Sequence, residues 1–404
     1  MTVTRFRKSV LLLYVLVIFL GPRLSSHIRG EDILFPLMLI ATFYALPKRI
    51  LEISSLFIIY FAYGLLITSF AIVSHILPVT ALLIWGKELQ YFVGFLLFLV
   101  CIRRDKAVLR LFEKTLVAIS ITIAIYYCYK LLSGTIRHYG ITYFTEPDSP
   151  SLSAWLYFNL FVFLLYFRQW SSLNRSLLTV LSGFLLIAAL GTGTRTIMIA
   201  AAVFIIVYGL YNFRLKTKFL MLFMLSCIMF LFWFYQSSLY SFHYARMPMI
   251  SAPISRASTL FERGTLTGAR IGSWISVLEN AYSNNKIGLG GGRGFTHLRD
   301  NSESLSLGLG ADNQYTVNLA ELGLAGSIIF FGALLFICQF IHPDLKRLYY
   351  PYLISCVVSG FALEVFQLSK SGQLFWLNTA YIIGLSTLLH KADINSNNAF
   401  AEAA

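Results

Sequence analysis

Residues 53–76 read ISSLFIIYFAYGLLITSFAIVSHI, and this stretch decides the class of fold. It contains no Asp, Glu, Lys or Arg. A transmembrane α-helix needs about 20 consecutive, mostly apolar residues to cross the hydrocarbon core of a bilayer. The stretch meets that requirement and therefore predicts a membrane-spanning helix.

The rest of the chain has the composition of a membrane protein as well. Hydrophobic residues make up 57% of the 404 residues and charged residues only 12%, against about 45–50% and about 25% in soluble domains. The formal net charge is +14, but the basic residues stand in short clusters between apolar runs, as the positive-inside rule describes. Composition therefore excludes a soluble globular protein and argues against nucleic acid as a partner.

Hydrophobic runs and the breakers between them predict twelve transmembrane helices. An even number places both termini on the same side of the membrane. If that side is the cytoplasm, the short cytoplasmic loops hold most of the Lys and Arg residues, and both termini are cytoplasmic. The predicted segments are 9–22, 32–47, 53–76, 80–101, 108–132, 152–167, 176–191, 196–212, 218–236, 318–341, 348–366 and 373–390.

One long polar loop lies between the ninth and tenth predicted helices, on the outer face. A loop of this length is too long for a simple connector. Its residues 267–281 include Trp274 and Val277 on one apolar face, which predicts a short helix lying on the membrane surface. The predicted organisation is helices 1–9 in 1–235, the loop in 236–317, helices 10–12 in 318–390 and a tail in 391–404.

Two arginines follow small-residue turns on the outer face. Arg195 comes after Gly191-Thr192-Gly193-Thr194, and Arg270 comes after Thr267-Gly268-Ala269. A helix N-terminus directs free N–H groups and a positive dipole end outward, and arginine binds phosphate oxygens with both arms of its fork. Together the two can clamp a pyrophosphate as a leaving group. The alternatives are a snorkelling, anchoring Arg195 and a solvated Arg270.

The end of the outer loop carries candidate residues for a base and for sugar binding. Asp312 can accept a proton from a sugar hydroxyl as general base, while Asn313 and Tyr315 hold hydroxyls. The alternative is that Asp312 and Asn313 cap the tenth helix. Other candidates for substrate contact are Glu146, Arg293 and His297, and His297 is also an alternative base.

The glycine run GLGGGRGF at 288–295 is a different kind of feature. It lacks the Lys-Ser/Thr pair of a phosphate-binding P-loop, and no strand precedes it as in a dinucleotide fold. Its glycines instead predict a close approach of the backbone to another group. Lys87 and Glu88 lie inside the fourth predicted span, where charge is costly. They are either functional or paired with other helices.

In this order along the chain, these features resemble the O-antigen ligase and O-antigen polymerase superfamily of bacterial inner-membrane glycosyltransferases. The resemblance rests on Arg195, on Arg270, and on the long loop between the ninth and tenth helices. It rests further on NKIGLGGGRGF at 285–295, which is similar to the family's Asn-Pro-x-x-Gly-x-Gly stretch, and on DNQYTVNLAELGLAG at 312–326.

The resemblance implies a GT-C-like, all-α polytopic fold with its active site on the periplasmic face. It also implies a glycan donor carried on undecaprenyl pyrophosphate, whose pyrophosphate the arginines bind. The acceptor hydroxyl attacks the anomeric carbon, with no metal and no cofactor. The implied partners are the lipid-linked donor and acceptor, membrane lipid and a regulator of chain length.

Ligases of this superfamily resemble one another in a histidine followed by Asn at the exit of the loop. Here that position reads Asp312-Asn313, which favours a polymerase that extends the next lipid-linked repeat. A ligase that transfers the glycan to lipid A–core is the alternative. A flippase or transporter would also have twelve helices. It should show internal repeats and polar residues at the midplane, whereas the polar residues here lie mainly outside.

Overall fold

The computed structural model of the chain contains helices joined by turns and irregular segments, with no strand among the residues that it describes, which confirms the predicted all-α class. It describes residues 3–21, 29–44, 46–74, 78–133, 150–192, 194–212, 268–293, 295, 313–361, 365–366 and 369–403. The helices are α1 (Val3–Leu20), α2 (Gly30–Phe43), α3 (Lys48–Ser74), α4 (Pro78–Arg104), α5 (Ala107–Leu132), α6 (Pro150–Trp170), α7 (Arg175–Gly191), α8 (Arg195–Asn212), α9 (Gly268–Ser283), α10 (Gln314–Ile337), α11 (Pro343–Ser359) and α12 (Ser369–Ala403).

Eleven of the twelve predicted transmembrane segments overlap these helices, and the ninth, 218–236, lies outside the described residues. Within the described ranges, four helices are long and apolar enough to cross a membrane: Lys48–Val73, Ala81–Arg103, Ser151–Trp170 and Gln314–Phe340. Arg175–Gly191 and Thr196–Asn212 are shorter apolar helices. The number twelve and the orientation stay predictions.

Prolines and capping side chains set several of the helix starts. Pro78, Pro150 and Pro343 each occupy the first position of a helix, where the missing N–H of proline removes no helical hydrogen bond. Asn174 caps α7, since its side-chain oxygen accepts from the backbone N–H of Ser176 at 2.9 Å. These residue types fix the helix boundaries independently of tertiary contacts.

The chain divides into two compact units. Unit 1 contains Met1–Lys114, Thr267–Lys346 and Gly360–Ala404, and unit 2 contains Thr115–Leu266 and Arg347–Ser359. The helix of the outer loop, α9, therefore belongs to the same unit as α1 to α4 and α10. Arg270 lies in unit 1 and Arg195 in unit 2.

Helix α4 is the centre of unit 1. It packs against α1, α2, α3 and α12, and all of its residues from 90 to 102 are buried. Trp376 of α12 packs edge-on against Phe57 of α3, with ring centroids 4.7 Å apart, and against Phe95 of α4 at 5.6 Å. Aromatic contacts of this kind fix the three helices against one another.

Unit 2 is built on α6, which contacts both α7 and α8. Its residues 152–164 are all buried. The hydroxyl of Tyr352 on α11 donates to the side-chain oxygen of Asn159 on α6 at 2.6 Å. This buried pair satisfies a polar side chain that an apolar helix could not otherwise accommodate.

Candidate functional site

The glycine run forms a turn that follows α9 and docks onto α10. We define the glycine turn as residues 284–293. Two of its glycines have φ angles in the region that favours glycine, Gly290 with φ 93° and Gly292 with φ 86°. A Cβ atom at Gly290 would lie 2.6 Å from the Cα atom of Leu322. The predicted close approach of this backbone is therefore confirmed, and the group that it approaches is a helix of the same chain.

Helix α10 is interrupted where the glycine turn contacts it. Gly323 interrupts the helix with φ 68° and ψ −174°, a conformation that is essentially restricted to glycine. Because of this kink, four backbone groups of α10 form hydrogen bonds with the backbone of the glycine turn and not within the helix. The four bonds run from Gly291 N to Ala320 O (2.9 Å), Gly292 N to Glu321 O (2.8 Å), Leu324 N to Ile287 O (2.8 Å) and Ala325 N to Gly288 O (3.4 Å).

Arg293 ends the glycine turn in a buried network of charges. Its guanidinium donates to the carboxylate of Glu88 at 2.6 Å, to the hydroxyl of Tyr60 at 2.6 Å and to the carboxylate of Glu321 at 3.1 Å. Its backbone N–H donates to the hydroxyl of Thr68 at 3.1 Å. The network joins the long loop to α3, α4 and α10.

Burial and charge act in opposite directions on Arg293, whose exposed fraction is only 1%. Burial lowers the pKa of its guanidinium, while Glu88, Tyr60 and Glu321 raise that pKa by more, so the net shift is upward. Arg293 therefore carries a permanent positive charge between two buried carboxylates. Such a charge is stable in the interior only while its partners stay in place.

These contacts bear on two of the sequence predictions. Glu88, for which the sequence left open a functional role or pairing with other helices, is paired in an ion pair with Arg293, which lies in the glycine turn and not in a helix. The predicted substrate contact of Arg293 is untested, but its guanidinium is occupied by protein groups. The described contacts give it the role of positioning the glycine turn.

A tyrosine of α3 fastens the turn on its other side. The hydroxyl of Tyr63 donates to the carbonyl oxygen of Leu289 at 2.7 Å and lies 3.2 Å from that of Leu322. It therefore bridges the glycine turn and the kink of α10. Sequence analysis did not single out Tyr60, Tyr63 or Thr68. The sequence signals for the network were the charged residues inside predicted spans, Glu88 in the fourth and Glu321 in the tenth, together with Arg293 in the loop.

The predicted loop helix is confirmed as α9, and Arg270 lies in its first turn. Val277 and Ala281 are buried in an apolar cluster with Phe295. Ile275, which lies just before Val277 in the same helix and is also apolar, is 49% exposed. The side chain of Arg270 lies outside the described part of the structure.

At the exit of the loop, Asn313 caps α10. Its side-chain oxygen accepts from the backbone N–H groups of Tyr315 at 2.9 Å and Thr316 at 3.2 Å. The capping alternative is thus confirmed for Asn313. The ring of Tyr315 packs against Phe361 with centroids 4.3 Å apart. Asp312, Glu146 and His297 lie outside the described residues, and their roles stay predictions.

In unit 2, Arg195 is the first residue of α8, directly after the predicted turn. The turn is held by Thr192, whose hydroxyl donates to the carbonyl of Ala189 at 2.7 Å. Thr194 then accepts at its carbonyl from the N–H of Ile197 at 3.2 Å. The helix start at Arg195 is confirmed. Its side chain is not described, so the pyrophosphate clamp with Arg270 stays a prediction.

The described residues define an all-helical membrane protein in which part of a long loop is locked onto a transmembrane helix. Residues 177–331 match the family model described as O-antigen ligase. This match is in keeping with the resemblance of the sequence to the O-antigen ligase and polymerase superfamily. The matched range begins in α7 and ends in α10. No curated protein matches the chain.

Proposed function

We propose that this protein is a surface-polysaccharide polymerase of the inner membrane. It transfers a glycan from undecaprenyl pyrophosphate to a sugar hydroxyl of the next lipid-linked repeat unit, at the periplasmic face. The observation that carries the proposal is the family match, because its range holds Arg195, Arg270, the glycine turn and Asp312 together. Each of these has a role in the reaction below.

The proposed step is a displacement at the anomeric carbon of the donor glycan. The acceptor oxygen forms a bond to that carbon, and the bond from the carbon to the pyrophosphate oxygen breaks. The electron pair of the broken bond leaves with undecaprenyl pyrophosphate. Arg195 and Arg270 stabilise the negative charge on this leaving group. Asp312 receives the proton of the acceptor hydroxyl as general base.

The glycine turn supports this proposal through the placement of Arg270. Helix α9 runs from Gly268 to Ser283 and leads directly into the turn. The turn is bound to α10 by four backbone hydrogen bonds and by the buried Arg293. These contacts fix the C-terminal end of α9. A fixed helix supports the proposal, because an arginine that binds the pyrophosphate of the donor must be held in a defined position.

A ligase that transfers the glycan to lipid A–core is the second candidate. It is favoured by the description of the matched family model, which is O-antigen ligase. The polymerase is favoured by Asp312-Asn313 at a position where ligases of the superfamily have a histidine before Asn. Both reactions use the same donor and the same leaving group, so only the acceptor separates them.

The test uses the purified full-length protein and undecaprenyl-pyrophosphate-linked repeat units, with no nucleotide added. We expect a ladder of lengthening lipid-linked glycans. Glycan found only on added lipid A–core would overturn the polymerase and establish the ligase. If neither product forms while the repeat units cross a vesicle membrane, the protein is a transporter.

Variants of the two arginines test the clamp. Arg195→Ala and Arg270→Ala should each lower the rate at least about 100-fold, the scale for one lost donor to a developing charge, without lowering the melting temperature. The matched controls are Arg175→Ala in unit 2, at the exposed start of α7, and Lys286→Ala in the glycine turn. Equal activity of the four variants would refute the clamp.

A further inference from the structure

A basic pocket lies at the end of unit 1 that is remote from the glycine turn. It is a cavity of about 130 Å³ formed by the start of α3, the end of α4, the middle of α12 and the residues that follow α4. Its lining contains the cations Arg49, Arg103 and Lys106. We call these three residues the pocket cations. The pocket has no part in the proposed transfer reaction.

The position of the pocket follows from the helices that form it. Arg49 lies at the start of α3, whereas Thr68, which contacts the glycine turn, lies 19 residues further along the same helix. At 1.5 Å per residue, the two are about 28 Å apart along the axis. Because α3 and α4 are apolar enough to cross a membrane, the pocket lies at the level of one headgroup layer.

Among the residues that the structure describes, no acidic side chain neutralises the charges of the pocket cations. Within the described part of the chain, none of the three forms an ion pair. Asp105 lies beside them in sequence, but its carboxylate is engaged by Lys8, which lowers the pKa of Asp105. Three like charges around one cavity repel each other, and a bound anion would remove that repulsion.

Apart from Thr387, the remaining lining of the pocket is apolar and includes Ile53, Ile102 and Ile383. A soluble inorganic anion has no apolar part that could bury this surface, whereas a lipid can pack its glycerol and first acyl carbons against it. Basic pockets between transmembrane helices are known sites for anionic lipid headgroups. Three cations and an apolar wall at the headgroup level therefore fit one class of ligand.

We propose that this pocket binds the headgroup of an anionic phospholipid. The phosphate is bound by the pocket cations, and the acyl chains follow the apolar side chains of α3 and α12 into the bilayer. A zwitterionic lipid binds more weakly, because its own ammonium group is repelled by the same three cations.

The test is native mass spectrometry of the full-length protein in detergent, titrated with phosphatidylglycerol. We expect phosphatidylglycerol to bind at least about tenfold more tightly than phosphatidylcholine with the same acyl chains. The triple variant Arg49→Gln/Arg103→Gln/Lys106→Gln should lose this preference. A matched control with the same change of charge is Lys48→Gln/Arg110→Gln/Lys114→Gln, whose residues are exposed in unit 1 but do not line the cavity.

Three outcomes would overturn the proposal. The first is equal affinity for the two lipids. The second is an equal loss of phosphatidylglycerol preference in the triple variant and in its control. The third is displacement of phosphatidylglycerol by millimolar inorganic phosphate. The last would define a site for a soluble anion. If the triple variant does not fold, the single variants serve, and each should weaken phosphatidylglycerol binding about fivefold.

Discussion

Arg293 shows how one side chain of the loop controls the position of a larger segment. Its guanidinium is shared between Glu88 and Glu321, which lie on two different transmembrane helices. Neither carboxylate is more than 6% exposed. The cost of burying these three charges is offset only by their mutual attraction and hydrogen bonds, so removing one partner is worse than removing all three.

We therefore expect Arg293→Ala to destabilise the protein by about 3–5 kcal/mol, because it leaves two buried carboxylates without a cation. A strong fall in the melting temperature of the detergent-solubilised protein would report it. Arg293→Met combined with Glu88→Gln and Glu321→Gln should recover part of the loss. Lys286→Ala, which removes a cation from the same turn, is the control. An Arg293→Ala variant as stable as the parent would show that the network contributes nothing.

Asn313 provides a second prediction at the residue scale. Replacing an N-cap asparagine by alanine costs about 1 kcal/mol, and aspartate or serine in its place keeps the cap. Asn313→Ala should therefore lower the melting temperature slightly, while Asn313→Asp should retain both stability and glycan synthesis. If Asn313→Asp is fully stable but inactive, the side-chain amide binds substrate, and capping is not its main role.

The sequence could not predict which side chains of the site contact one another. The sequence marked Glu88 as a charge inside a span and Arg293 as a candidate in the loop. Their pairing depends on a contact between residues 205 positions apart. Hydropathy contains no information about such a contact. The cap of Asn313 was predictable, because its partners are two and three residues away.

At the scale of elements, the kink of α10 and the glycine turn form one structural unit. A continuous helix would pair the carbonyls of Ala320 and Glu321 within itself. Gly323 breaks that pattern, and the turn supplies the replacement donors and acceptors. The sequence predicted the helix and the close approach of the glycines. It could not place the kink, since an isolated glycine inside an apolar run has several explanations.

Substituting Gly323 should therefore damage both elements together. Gly323→Ala forces a side chain into a backbone conformation that costs about 1–3 kcal/mol, and its Cβ atom would lie 2.6 Å from the carbonyl carbon of Leu289. We expect a lower melting temperature and loss of glycan product. Gly332→Ala, in the same helix with open space around it, should be neutral or stabilising by up to about 1 kcal/mol. Equal stability of the two variants would refute this account.

At the scale of the molecule, the helices of unit 1 connect two chemically different ends. Lys8 near the N-terminus pairs with Asp105 at the end that holds the basic pocket, and Thr387 near the end of the chain lines that pocket. The glycine turn contacts the opposite ends of α3 and α4.

The last prediction concerns the orientation of the protein in the membrane. If the basic end faces the cytoplasm, as the positive-inside rule requires, the glycine turn faces the periplasm. Asn284→Cys and Lys106→Cys would be placed singly in a background in which Cys101, Cys128, Cys227, Cys338 and Cys356 are replaced by serine. Both sites are exposed in the structure.

In intact cells with a permeable outer membrane, a membrane-impermeant maleimide should label Asn284→Cys, and Lys106→Cys only after the inner membrane is broken. The cysteine-free parent must still make glycan product, which shows that the labelled proteins are folded. The reverse labelling pattern would show that the protein has the opposite orientation in the membrane, with the proposed active site in the cytoplasm. Labelling of both sites from the same side would mean that α3 and α4 do not cross the bilayer. The reverse pattern would separate the glycine turn from the periplasmic donor that the proposed transfer requires.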